Sequence, residues 1–187
     1  NHHRIVVTDL DGNSIETIGS GRIGLADGGY DEAQFFRLQG LAFHGGNLYV
    51  ADAENHALRV VDTKAKTVHT LAGNGTQGRD YNGGKGGREQ PISTPWDVFI
   101  DSGQVFIAMA GTHQIWAYNL EKKIAHNFSG NGSEQNLNHP DPFQAAWAQP
   151  SGLTVGAGEL FIADSESSTV RAISLSTGAT RTIAGGE

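Results

Sequence analysis

Cysteine is absent from this sequence. Disulfides, thiolate metal sites, cysteine nucleophiles and CxxC redox chemistry are therefore excluded for these residues. Positive charge is also scarce: 13 Lys and Arg stand against 20 Asp and Glu, a formal charge of −7 with a pI near 5.5. That field repels phosphate backbones and anionic lipid, so neither nucleic acid nor membrane contact is expected of this segment. No apolar run approaches the about 18 residues of a membrane-spanning helix. No long stretch keeps a 3.6-residue period, so helix is expected to be minor.

Glycine is the residue in excess, at 26 of 187. That is about twice the average share and shows no collagen period, which signals many turns and hence many short strands. The start at "NHHRIVV", without an initiator Met, is expected of a fragment or a processed product.

Repeats organise what is there. "NLYVADAENHALRVVDTKAKTVHTLAGNG", "QVFIAMAGTHQIWAYNLEKKIAHNFSGNG" and "ELFIADSESSTVRAISLSTGATRTIAGGE" superpose without a gap, and the opening "NHHRIVVTDLDGNSIETIGSG" matches their second half. The anchors Asn1, Asn55, Thr112 and Ser167 are spaced by 54, 57 and 55 residues, and Gly19, Gly73, Gly130 and Gly185 keep the same spacings. Each unit holds four strand-like runs, in the first full unit "QGLAF", "LYVADA", "ALRVVD" and "VHTLAG", separated by Gly, Asn or Asp.

Four antiparallel strands at such a period predict an all-β fold, a β-propeller. We expect a half blade at 1–23 and blades at 39–75, 95–132 and 150–187. This is about three and a half blades of a ring that needs roughly 4 to 8, with the remaining blades in the same polypeptide rather than a second chain. Phe35, Ile92 and Trp147 each stand five residues before Gly40, Asp97 and Gly152, at the start of a unit. They are expected to plug the space between blades. The Gly-rich linkers are expected to cross one rim.

The segment "D-x-x-N-H-x-[LI]-R" after a "Y-V-A" strand resembles the NHL repeat, with Asn55-His56-Ala57 in the Asn-His-Leu place. "TPWDV", "IAMAGTHQIWAY", "FSGNGSEQNLN", "AQPSG" and "IADSESSTVRA" resemble the propeller of one family of such proteins. That family unites NHL repeat-containing protein 2 with the chloroplast suppressor of quenching 1 protein. The resemblance implies a six-bladed, non-enzymatic platform for a protein partner. It also implies a thioredoxin-like domain in the full-length protein and, for the chloroplast branch, a place in the thylakoid lumen and a role in photoprotection.

The charged cluster "ADAENHALRV" is read as architecture, because its places come round once per unit: that of Asp52 as Met109 and Asp164, that of Asn55 as Thr112 and Ser167, that of His56 as His113 and Ser168, and that of Arg59 as Trp116 and Arg171. In the opening half unit, His2 and Arg4 fall at the places of His56 and Arg59. Asp and Asn side chains are expected to bond backbone amides there, and the Arg to pair with an acid. A rival reading places Asp52, His56, His113 and Asp164 around the channel as ligands for an ion such as Zn²⁺. In the middle unit Met109, Gly111 and Trp116 replace Asp, Glu and Arg, and Met109, His113 and Trp116 are the candidate interaction surface.

"GGKGG" at 83–87 lacks the GxxxxGK[ST] spacing and reads as a rim loop, and no G-x-S-x-G elbow accompanies "SESS". His2, His3 and His139 have no evident partner. Asn74, Asn127 and Asn131 head Asn-x-Ser/Thr triplets, which matter only in a glycosylating pathway. No catalytic residue, metal or cofactor is expected. A metal-dependent lyase and an RNA-binding propeller are the alternative classes.

Overall fold

The computed structural model describes residues 2–186, so the anchor Asn1 and the terminal Glu187 lie outside the described residues. The strands form antiparallel sheets arranged as blades, as the repeats predict. The half blade pairs β1 (Ile5–Thr8) with β2 (Ser14–Ile18). The first full blade begins with a short linker strand, β3 (Gly28–Gly29), and continues through β4 (Leu38–His44), β5 (Asn47–Asp52), β6 (Ala57–Asp62) and β7 (Thr67–Ala72), in the order β3-β7-β6-β5-β4.

The second full blade repeats the plan with β8 (Gly83–Lys85), β9 (Pro95–Asp101), β10 (Gln104–Met109), β11 (Gln114–Asn119) and β12 (Ile124–Ser129), in the order β8-β12-β11-β10-β9. The third is β13 (Pro150–Gly156), β14 (Glu159–Asp164), β15 (Thr169–Ser174) and β16 (Thr180–Gly185), in sequential order. Unlike the sequence reading, the linkers are not free rim loops throughout. "GGKGG" supplies β8, which covers the outer edge of β12 and leaves that edge less open to stray pairing.

Three apolar clusters sit between successive sheets. Ile5 and Ile18 meet Val50, Val61 and Val68; Tyr49, Ala51 and Leu58 meet Val98, Val105 and Ile107; Phe106, Ile115 and Ala117 meet Leu160, Ile162 and Ile173. Phe35, Ile92 and Trp147 belong one to each cluster and are fully buried. They are plugs between blades, as their spacing predicts.

The repeating glycine has a local cause. Gly73 has φ +104° and Gly130 φ +115°, and a Cβ at Gly73 would collide with the His56 carbonyl while one at Gly130 would stand 3.0 Å from that of His113. No other residue lets the chain leave the outer strand this close to the turn.

Strands within a blade run alternately up and down, so each linker and each turn between a blade's second and third strands lie on one face. The hairpins, such as Gly45-Gly46 and Asp62–Thr67, lie on the other. Trp147→Ala is expected to cost about 3–5 kcal/mol, the range for emptying a large buried aromatic site. The urea midpoint should fall accordingly, whereas the exposed Leu10→Ala should leave it within about 0.5 kcal/mol.

Candidate functional site

The turn between a blade's second and third strands is a single 3-10 turn: Ala53–Asn55, Ala110–Thr112 and Ser165–Ser167. It closes on a residue in the left-handed region, His56 (φ 46°), His113 (φ 53°) or Ser168 (φ 52°). The turn docks onto the linker that enters the same blade, since the amides of Glu54 and Gly111 donate to the carbonyls of Phe36 and Ser93 at 3.1 Å each. Gly111 is forced by this packing: a Cβ there would meet Ser93.

Behind the turn, Asp52 and Arg59 form a fully buried pair at 2.8 Å. Asp52 also accepts from the Phe36 amide (2.8 Å) and from Asn55 Nδ2 (2.8 Å), while Arg59 donates to the carbonyls of Gln34 (2.8 Å) and Ala26 (2.9 Å). The third blade repeats the arrangement. Arg171 pairs with Asp164 at 3.0 Å and donates to the carbonyls of Ala146 (2.6 Å) and Leu137 (2.7 Å). Both guanidinium groups lie over the plugs, Arg171 4.0 Å from the Trp147 ring and Arg59 5.0 Å from that of Phe35.

Asp52, Asn55, Arg59, Asp164 and Arg171 are thus architectural, as read from their recurrence. Burial raises the Asp52 carboxyl above its ordinary value despite its partners, and burial lowers the Arg171 guanidinium. Desolvation therefore offsets much of what each pair gains, which explains how one blade can do without it.

In the second blade Met109 stands in the place of Asp52 and accepts the Ser93 amide on its sulfur at 3.3 Å. Trp116 stands in the place of Arg59 and donates Nε1 to Gln114 Oε1 at 2.9 Å. Gln114 in turn donates to the carbonyls of Gly130 (2.9 Å) and Tyr81 (3.1 Å). Met109 and Trp116 are fully buried, so the interaction surface expected at Met109, His113 and Trp116 is not formed. The pair fills the volume of an ion pair instead. Gly83 of "GGKGG" is needed beside it, because a Cβ there would stand 2.8 Å from the Trp116 ring.

The histidines latch one blade to the next linker. His56 Nδ1 accepts the Thr94 amide at 3.1 Å, whereas His113 Nδ1 lies 2.6 Å from the Ala148 carbonyl and donates to it, so the two rings carry opposite tautomers. The proposed ligand ring around the channel is not assembled: Asp52 and Asp164 are locked to Arg, and no group of three potential ligands converges among the described residues.

The opening half unit is shifted by one from its gapless alignment. Ile5 pairs with Ile18 as Leu58 pairs with Ala72, so His3, whose φ is 49°, corresponds to His56, and Val6 corresponds to Arg59, one place beyond the gapless Ile5 and two beyond the Arg4 read there. The shorter Asp9–Asn13 hairpin causes the shift. His3 Nδ1 accepts the Arg37 amide at 3.5 Å, and His139 Nδ1 accepts that of Asp141 at 3.0 Å. The Asn-Gly-Thr/Ser triplets are turns as well, since Asn74 accepts from the Thr76 amide (3.1 Å) and Asn131 from that of Ser133 (2.8 Å).

A rim cavity went unread in the sequence. It measures about 230 Å³ and is lined by Tyr81, Asn82, Gln114, Asn127, Asn131 and Phe143 among others. Its signal was available: Asn127 stands where the other blades have Thr70 and Thr182.

Interlocked four-stranded sheets with linker plugs define a β-propeller segment. Within that class the chain's homologues are NHL-repeat proteins. It is 52% identical over 174 residues to Protein SUPPRESSOR OF QUENCHING 1, chloroplastic, of Arabidopsis thaliana, covering 90% of this chain and 16% of that protein. It is 45% and 44% identical over 209 residues to NHL repeat-containing protein 2 of Gallus gallus and of Homo sapiens, covering all of this chain and 29% of each. No family model matches the chain. Among solved structures, the crystal structure of a nidogen/laminin complex shares the fold, with a TM-score of 0.55 at 16% identity over 80% of this chain and 47% of that one.

Two outcomes follow from the packing. Arg171→Met should cost about 3–5 kcal/mol by leaving Asp164 buried and unpaired. Asp164→Met with Thr169→Gln and Arg171→Trp, the second blade's solution, should recover most of that loss in urea unfolding. Burial also holds His56 and His126 below the ordinary histidine value of 6.5. Their neutral forms stabilise the fold fully above the unfolded value, and that stability is lost as pH falls through 6.5 toward the lower folded values. The urea midpoint should therefore drop between about pH 7.5 and 5.5, and less so in His56→Asn with His126→Gln.

Proposed function

We infer that this chain is the binding and scaffolding portion of a larger thioredoxin-like/NHL protein and performs no catalysis itself. The observation that carries this reading is the linker face. Each linker bears a large exposed apolar side chain, Ile23 in the first, Tyr81 in the second, and Leu137 and Phe143 in the third. Outside their plugs the linkers are spared the burial that fixes blade positions, and apolar side chains displayed on the linker face suit a protein interface. The formal charge of −7 favours a protein partner over nucleic acid.

A six-bladed ring, with the thioredoxin-like domain of the full-length protein as one neighbour, completes the proposal. The chain spans only 16% and 29% of the relatives' lengths, so the activity of the whole is inferred. The 52% identity to the chloroplastic relative supports a chloroplast protein, and we extend this to the thylakoid lumen and photoprotection.

The test is site-specific photocrosslinking in the full-length protein, with the probe at Ile23 or Leu137 and, as control, at Lys64 on the hairpin face. Crosslinks to another domain or polypeptide from the first two positions and not from Lys64 are expected. Equal yields from both faces would overturn the assignment of the linker face.

A further inference from the structure

We propose that the rim cavity of the second blade binds a neutral sugar ring. The argument starts from the pseudo-symmetry. In the first blade the outer-strand residue Thr70 donates to Asp27 at 2.8 Å, and Asp27 accepts from Arg59 at 2.9 Å. In the third blade Thr182 accepts from Asn138 Nδ2 at 2.8 Å, and Asn138 Oδ1 accepts from Arg171 at 3.0 Å. In both, a linker side chain closes the space between the outer strand and the buried arginine.

The second blade has no arginine to close with. Asn127 occupies the Thr70 and Thr182 place, is 8% exposed, and donates Nδ2 to the Gly130 carbonyl at 2.9 Å, which fixes the amide's orientation. Its Oδ1 is buried without a partner among the described residues. A buried acceptor left unmade costs about 1–3 kcal/mol, a cost that a threonine at this place does not carry. The cavity opens beside Asn127.

The lining selects the ligand's chemistry. Asn82, Gln114, Asn127 and Asn131 are amides; Gln114 is spent on Trp116, Gly130 and Tyr81, which leaves Asn82, Asn127 and Asn131 with amide protons to offer, and no Asp, Glu, Lys or Arg lines the space. Tyr81 and Phe143 stand at its edge, 44% and 53% exposed. Neighbouring amides match the paired hydroxyls of a pyranose, and aromatic rings match its C–H face. About 230 Å³ is below the roughly 300–1,000 Å³ of drug-sized sites, room for one ring rather than a large ligand. Charged ligands have no counter-ion there. The site shares Tyr81 and Phe143 with the linker face, and glycoside binding tests it without the partner that photocrosslinking from Ile23 or Leu137 seeks.

Saturation-transfer NMR of the chain with the methyl glycosides of glucose, galactose, mannose and N-acetylglucosamine tests this directly. At least one should show transfer to its ring protons. Phe143→Ala and Tyr81→Ala, both surface changes, should each weaken that binding roughly two- to tenfold, the worth of one modest contact. Asn127→Thr, which restores the residue type of the other blades, should weaken it while leaving the urea midpoint unchanged or higher. Absence of transfer from all four glycosides would overturn the proposal, as would transfer unaffected by all three substitutions. Binding of N-acetylasparagine methylamide with no glycoside bound would also overturn it, assigning the cavity to a peptide side chain.

Discussion

The linker carbonyls are the constraint on which the rest depends. Each linker dives under a plug residue and presents backbone oxygens that no strand pairs, and buried carbonyls must find donors. In the first and third blades one arginine serves two of them while its carboxylate partner receives a linker amide. One ion pair thus ties turn, linker and third strand together. The His latches then pass the same order to the next linker, through bonds of 3.1 Å from Thr94 and 2.6 Å to Ala148.

The second blade meets the same need with neutral groups. Gln114 supplies the donors, Trp116 and Met109 the volume, and the Ser93 amide settles for a sulfur acceptor. Burying two charges costs nearly what their attraction returns, so the substitution is tolerated in the core. Its consequence is felt at the rim, where the arginine no longer draws a linker side chain over the outer strand. A change inside the blade thereby leaves a cavity outside it.

Much of this was legible in the residues. Two anchors keeping spacings of 54, 57 and 55 disclosed the blades, and the apolar residues five positions before each blade disclosed the plugs. Recurrence identified Asp52 and Arg59 as architecture. The same logic misjudged Met109 and Trp116, because departure from a repeat signals a different local solution and does not reveal whether it faces solvent. It also slipped by one in the opening half unit, where a shorter hairpin let Val6 take the arginine's place.

By itself the sequence determined the four core strands of each blade, the turn chemistry and the repeat period, since these follow from local backbone preference and from apolar spacing that any one blade displays, whereas β3 and β8 were added by the linkers. Only the tertiary structure decided burial at Met109 and Trp116, the opposite tautomers of His56 and His113, and the cavity bounded by Tyr81, Asn127 and Phe143. Those properties arise where two blades and a linker meet, from residues up to 62 positions apart, and no local pattern records the meeting.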